Sequence, residues 1–228
     1  MNFIPVIPSL NPDARLIKLI KELIEEKFKK IIIVDDGSED KTIFNKLKEN
    51  EEVIVLTHDE NKGKGAALKT AFTFYKDNLI EEYKGLVCLD SDGQHLVSDA
   101  IKVGKIMVDN NKYVLGTRLF NTKETPLRNK TGNCITSRLF KWLYKTYIKD
   151  TQTGLRAIPN RLIKIILDIP GSRFEYELKV LIELVKMHED ILEYDIKTVY
   201  LKDSNKKSHY KVIRDSYQVY KVLFNGRK

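Results

Sequence analysis

Short apolar runs alternate with longer stretches in which apolar residues return every three or four positions. Residues 31–34 are apolar throughout, which suits a strand covered on both faces. Residues 3–7, 53–56, 85–89 and 113–116 have the same character and read as strands. Between them, residues 14–28 set Leu16, Ile17, Leu19, Ile20, Leu23 and Ile24 on one side of a helix. Residues 41–47, 66–79 and 100–108 read as helices too. Strand and helix in strict turn predict a parallel sheet with helices on both faces. Ligands of such sheets bind at the carboxyl ends of the strands.

The pattern changes after Thr117. Residues 119–133 are rich in Thr, Lys, Arg and Asn and read as a mobile loop. A helix is expected over 135–147, and a turn leading into a short strand over 150–158. Helices follow at 161–167 and 174–187, separated by Pro170-Gly171. Residues 192–201 alternate as a strand, 202–208 form a polar loop, and 209–224 a last helix. That helix carries Val212, Ile213, Val219, Tyr220, Leu223 and Phe224 among basic residues. Such a face suits a membrane interface, the sheet or a second subunit.

The chain has 228 residues, enough for one α/β domain with a small C-terminal extension. Its net charge of +8 favours anionic partners such as phosphates, acidic lipids or nucleic acid. Cys88 lies in an apolar run and reads as a buried filler, and with Cys134 it fits a reducing compartment. No run approaches the about 18 apolar residues of a membrane span, and no leader pattern opens the chain. The expected location is cytoplasmic, or peripheral at the inner face of the membrane.

Two acidic clusters end predicted strands. Asp35-Asp36-Gly37-Ser38 follows 31–34, where a carboxylate can accept from a ribose hydroxyl or a base N–H, or merely cap a turn. Asp90-Ser91-Asp92-Gly93-Gln94-His95 follows 85–89. Carboxylates two apart on extended backbone point the same way. With the Gln94 amide oxygen they form a hard oxygen set suited to Mg²⁺ or Mn²⁺ on a diphosphate. A calcium loop is excluded, because His95 stands where its sixth position needs Gly and Ile101 where its twelfth needs Glu. Asn61-Lys62-Gly63-Lys64-Gly65 lacks the phosphate-loop spacing, yet a glycine loop opening a helix can approach a phosphate closely. A structural turn explains it equally. Asp150-Thr151-Gln152-Thr153-Gly154-Leu155-Arg156 offers Asp150 as a general base, an acceptor-orienting group or a capped turn. Arg118, Arg128 and Arg138 flank the polar stretch, and Lys206, Lys207 and His209 lie in the next. Convergent cations hold phosphates; singly, each is a solvated surface charge.

In this order and spacing, these segments resemble glycosyltransferase family 2. The likeness includes Ile7-Pro8-Ser9-Leu10-Asn11, Gly116-Thr117-Arg118 and Phe174-Glu175-Tyr176-Glu177. It is nearest to the branch containing dolichyl-phosphate mannose synthase and bacterial polyprenyl-phosphate glycosyltransferases. Leu10 stands where the family often has Tyr, and the membrane-spanning segments of many relatives have no counterpart here. The resemblance implies an α/β chain of GT-A fold: a mixed, mainly parallel sheet flanked by helices, of the nucleotide-diphospho-sugar transferase type. It implies one domain over 1–228, with a nucleotide-binding half at 1–117, an acceptor-binding half at 118–208 and an amphipathic helix at 209–228. It implies an inverting, metal-dependent transfer from a UDP- or GDP-sugar, with Mg²⁺ or Mn²⁺ as cofactor. Pro8, Asn11, Asp36, Lys64 and Asp90 are then the candidates for the nucleotide-sugar. Asp90, Asp92 and Gln94 serve the metal, and Asp150, Arg118 and Arg128 the chemistry. The implied acceptor is a polyprenyl phosphate, reached by peripheral membrane contact. Three rival readings remain open: transfer to a glycan hydroxyl, a nucleotidyltransferase, and a basic phospholipid- or nucleic-acid-binding module. No RNA-binding aromatic pattern or zinc spacing supports nucleic acid as a partner.

Overall fold

Residues 1–119, 127–197 and 221–226 are described by the computed structural model, with the backbone alone over 127–132. Its sheet has seven strands in the order β3-β2-β1-β4-β6-β5-β7. They are β1 (Ile4–Ser9), β2 (Ile31–Asp35), β3 (Val53–Thr57), β4 (Gly85–Cys88), β5 (Tyr113–Arg118), β6 (Arg156–Pro159) and β7 (Ile191–Ile196). Neighbours β3, β2, β1 and β4 are parallel to one another. β6 runs antiparallel to β4 and to β5, so β5 and its parallel partner β7 point the same way as β1. The strands read by periodicity, β1 to β5, all run in one direction as expected, and the antiparallel β6 makes the sheet mixed, as the resemblance implies. Apolar pattern records burial and not direction, and the antiparallel turn of β6 leaves no trace in it.

Alternation along each strand divides the core between the two faces. Ile32 and Val34 face one way and Ile31 and Ile33 the other, all fully buried. On the first face lie α3 (Lys64–Asn78), α5 (Leu127–Tyr144), α6 (Asn160–Asp168) and α7 (Glu175–Lys186). On the second lie α1 (Ala14–Glu25), α2 (Thr42–Leu47) and α4 (Val97–Asn110). Helix α1 starts where the sequence places it, because the Asp13 side chain accepts from the Arg15 N–H as an N-cap. Truncating one fully buried residue such as Ile33 to Ala would cost about 2–5 kcal/mol.

Helix α5 starts at Leu127, inside the stretch expected to be a loop. The reason is the way its polar side packs. Asn133, Thr136 and Ser137 are buried, and Asn133 Nδ2 and Ser137 Oγ both donate to the Lys149 carbonyl. A helix that docks through hydrogen bonds has no apolar period at that end. Residues 221–225 are helical, with Val222 and Leu223 in the core and the Tyr144 hydroxyl donating to the Leu223 carbonyl at 2.6 Å. Of the roles open to the last helix, packing on the domain is the one this part fulfils. Its earlier residues, with the loop cations Lys206, Lys207 and His209, lie outside the described residues.

Candidate active site

Because β1, β2, β4 and β5 share a direction, the segments after them gather at one edge of the sheet. That edge carries Asn11, Asp36, the 90–95 loop and Arg118. The turn at 150–155 enters antiparallel β6 from the same side. The two acidic clusters, far apart in sequence, therefore meet on one rim.

The first cluster is a framework. The Asp35 carboxylate is fully buried, accepting from the Ser38 N–H at 2.8 Å and from Lys41 Nζ at 2.6 Å. Asp36, the candidate for the nucleoside, is also buried. It accepts from the N–H groups of Lys62 and Gly63 at 2.9 and 2.8 Å, and His58 Nδ1 lies 2.7 Å away. These bonds fasten the loop before α3 to the rim. Asn11 has a left-handed backbone (φ 45). Its N–H donates to Ser38 Oγ and its side-chain oxygen accepts from the Glu39 N–H, so it braces the same rim. Pro8 is buried inside β1 opposite Val34.

The second cluster is more open. Asp92 Oδ1 accepts from the Gln94 N–H at 3.0 Å, closing a turn around Gly93 (φ 74). The side chains of Asp90, Asp92 and Gln94 are all partly exposed on the rim. Burial would raise the Asp90 carboxyl, but Lys64, His95 and Arg118 together outweigh it and hold Asp90 well below the usual carboxylate range. Burial, and then the Asp90 charge, push Asp92 the other way. Asp92 is thus a carboxylate short of positive charge, beside one that has it. Burial lowers the His95 imidazole despite both carboxylates. Among the described residues, no three His, Cys, Asp or Glu side chains converge as a complete metal cage. Two carboxylates and an amide fit a divalent ion that keeps further oxygens from a diphosphate, as Mg²⁺ commonly does.

Lys64, the first residue of α3, ion-pairs with Asp90 Oδ1 at 2.7 Å and Glu177 Oε2 at 2.8 Å. Burial would lower its pKa, but the two carboxylates raise it on balance. Glu177 Oε1 lies 3.5 Å from Arg156 Nε. Arg156 is buried and donates to the carbonyls of Thr153, Glu177 and Thr151. Neither Glu177 nor Arg156 was among the predicted site residues. The signal for Arg156 was available: a charge between Leu155 and Ala157 in an apolar strand demands a buried partner. Glu177 sits next to buried Tyr176 in a helix read by its apolar face.

Arg118 and Asp150 form a two-pronged pair, Nε to Oδ2 at 2.6 Å and Nη2 to Oδ1 at 3.0 Å. The Asp150 carboxylate is fully buried and also accepts from the N–H groups of Arg118 and Gln152. Both carboxylate oxygens of Asp150, a candidate general base, are thereby bonded to Arg118. Arg128 falls on the first turn of α5, and its side chain lies outside the described residues.

Acidic and basic groups gathered at the carboxyl edge of a mixed α/β sheet make a rim suited to a ligand that carries phosphates. The model of glycosyl transferase family 2 matches residues 6–164, and the chain belongs to that family of glycosyltransferases. It is 34% identical over 220 residues to the UDP-N-acetylglucosamine–dolichyl-phosphate N-acetylglucosaminyltransferase of Methanococcus voltae, covering 86% of this chain and 84% of that one. It is 31% identical over 181 residues to a dolichyl-phosphate beta-glucosyltransferase of Trichomonas vaginalis, covering 71% of this chain and 54% of that one. Its fold is that of glucosyl-3-phosphoglycerate synthase from Mycobacterium tuberculosis, crystallised with Mn²⁺, UDP and phosphoglyceric acid. The TM-score is 0.73 at 16% identity, over 99% of this chain and 78% of that one. The GT-A fold implied by the resemblance is the fold observed. Among the described residues no helix is long and apolar enough to cross a membrane.

Proposed function

We propose that this glycosyltransferase moves a sugar from a UDP- or GDP-sugar to a polyprenyl phosphate, by a single inverting displacement that requires Mg²⁺ or Mn²⁺. Asp90, Asp92 and Gln94 would hold the cation, which neutralises charge building on the departing diphosphate. Pro8, Asn11 and Asp36 shape the nucleoside side of the rim, in the half spanning 1–117. Arg118, with Arg128, belongs to the acceptor half at 118–208 and draws the acceptor phosphate toward the sugar. The chain would work at the inner face of a membrane, where such a lipid lies.

The observation that carries the acceptor class is the pairing of Asp150 with Arg118. A hydroxyl acceptor needs a base to take its proton. A phosphate monoester, with a second pKa of about 6, is already an anion at neutral pH and needs a placed cation instead. The names of the Methanococcus and Trichomonas relatives, both dolichyl-phosphate enzymes, point the same way. Labelled nucleotide sugar is incubated with Mn²⁺ and either a polyprenyl phosphate or the matching free polyprenol. Transfer to the phosphate alone is expected; transfer to the alcohol alone would overturn the acceptor assignment.

A further inference from the structure

Gly63-Lys64-Gly65 reads from sequence as either a phosphate-contacting loop or a structural turn, and its geometry is that of a joint. A Cβ on Gly63 would lie 2.5 Å from the Ser172 carbonyl oxygen, and one on Gly65 2.6 Å from Tyr176 Cβ. The Ala66 N–H donates to the same Ser172 oxygen at 2.9 Å. The start of α3 is pressed onto the turn that leads into α7, and glycine permits the approach. The consequence falls on Lys64, a largely buried ammonium set at the positive end of a helix dipole. Two carboxylates compensate it: Asp90 from the rim and Glu177 from the first turn of α7. Glu177 Oε1 is buried with no hydrogen-bond donor and faces the Arg156 guanidinium, itself tied down by backbone carbonyls.

We propose that Glu177 is a positioning residue for transfer: by sharing Lys64 with Asp90, it leaves the Asp90 carboxylate able to turn to a cation-bound diphosphate. This rests on the assignment of Asp90 and Asp92 to the donor. With Glu177 in place, Lys64 keeps a neutralising partner when Asp90 engages a cation. Without its charge, Lys64 has Asp90 alone, and an arriving cation must break that pair outright. Arg156 fixes Glu177 at the distance where the sharing works.

Mn²⁺ is titrated calorimetrically into the whole chain in the presence of fixed UDP, with the melting temperature recorded for each variant. Glu177→Gln keeps the shape and is expected to weaken Mn²⁺ binding about tenfold, the scale of one charge-assisted bond. Removing the competing ammonium as well, in Lys64→Met/Glu177→Gln, is expected to raise Mn²⁺ binding above that of Glu177→Gln. A purely structural Glu177 would lower the melting temperature in both variants and give no recovery. Parent-like Mn²⁺ binding in Glu177→Gln, or a double variant as weak as the single, overturns the proposal. Asp92→Ala is the control that separates the two levels. If it binds Mn²⁺ like the parent, the donor assignment fails and this proposal with it.

Discussion

Single residues divide into those that make the rim and those that use it. Asp35, Asp36 and Asn11 spend their polar atoms on neighbouring loops, whereas Asp92 and Gln94 spend few. Arg118 and Asp150 act as a unit in this account. Asp150→Asn should therefore lower kcat by roughly ten- to a hundredfold, as expected for losing a charge-assisted pair, and Arg118→Ala should do about the same. The double variant should be no worse than either single, because both remove one interaction. Multiplying losses in steady-state kinetics would return Asp150 to an independent role as base. At this scale the sequence places the open cluster on the rim, directly after β4, where its side chains are partly exposed. Asp90, Asp92 and Gln94 are legible as a rim cluster because they directly follow an apolar strand, but the extended backbone expected over Asp90–Asp92 is a turn instead, closed by the Gln94 N–H on Asp92. Asp36 also bonds to Lys62, Gly63 and His58, a bracing role that the sequence does not reveal, since a carboxylate after a strand looks alike whether it holds a loop or a ligand. Glu177 is invisible as a partner of Lys64, because 113 positions separate them and only the packing of α3 on α7 joins them.

Elements carry that packing. Helix propensity alone would favour Ala over Gly at position 65 by about 1 kcal/mol. The contacts decide otherwise: an added Cβ would meet Tyr176 Cβ at 2.6 Å and the Arg173 carbonyl oxygen at 2.9 Å, neither at the end of a flexible side chain. Overpacking of this kind costs roughly 1–3 kcal/mol. Gly65→Ala is expected to lower the melting temperature by roughly 2–10 °C for a chain of this size. A variant that melts at or above the parent in calorimetry would show that the joint is loose. Elements with an apolar stripe are legible in sequence, so β1 to β5 and α1 to α4 fall close to where the pattern puts them. The polar first turns of α5 escape, since Asn133 and Ser137 dock by hydrogen bonds to Lys149. The direction of β6 escapes as well, because Ala157 and Ile158 are buried on opposite faces whichever way the strand runs.

For the whole molecule, strand order does the gathering. Placing β1 between β2 and β4, and returning through antiparallel β6 to β5, sets Asn11, Asp36, Asp90 and Arg118 along one edge. In the proposed reaction the donor groups would then lie after β1, β2 and β4 and the acceptor's cation after β5. The basic excess of the chain suits both ends of the proposed reaction, a diphosphate leaving and a phosphate arriving. In the proposed reaction this edge grips a cation-bound nucleoside diphosphate through Asp90 and Asp92. Calorimetric titration of UDP and of GDP into the parent chain and Asp92→Ala, with Mn²⁺ and with chelator, tests it most directly. Binding of one nucleotide by the parent only with Mn²⁺, and at least about tenfold weaker binding by the variant, is expected. Equal affinity in all four combinations of chain and metal would contradict it.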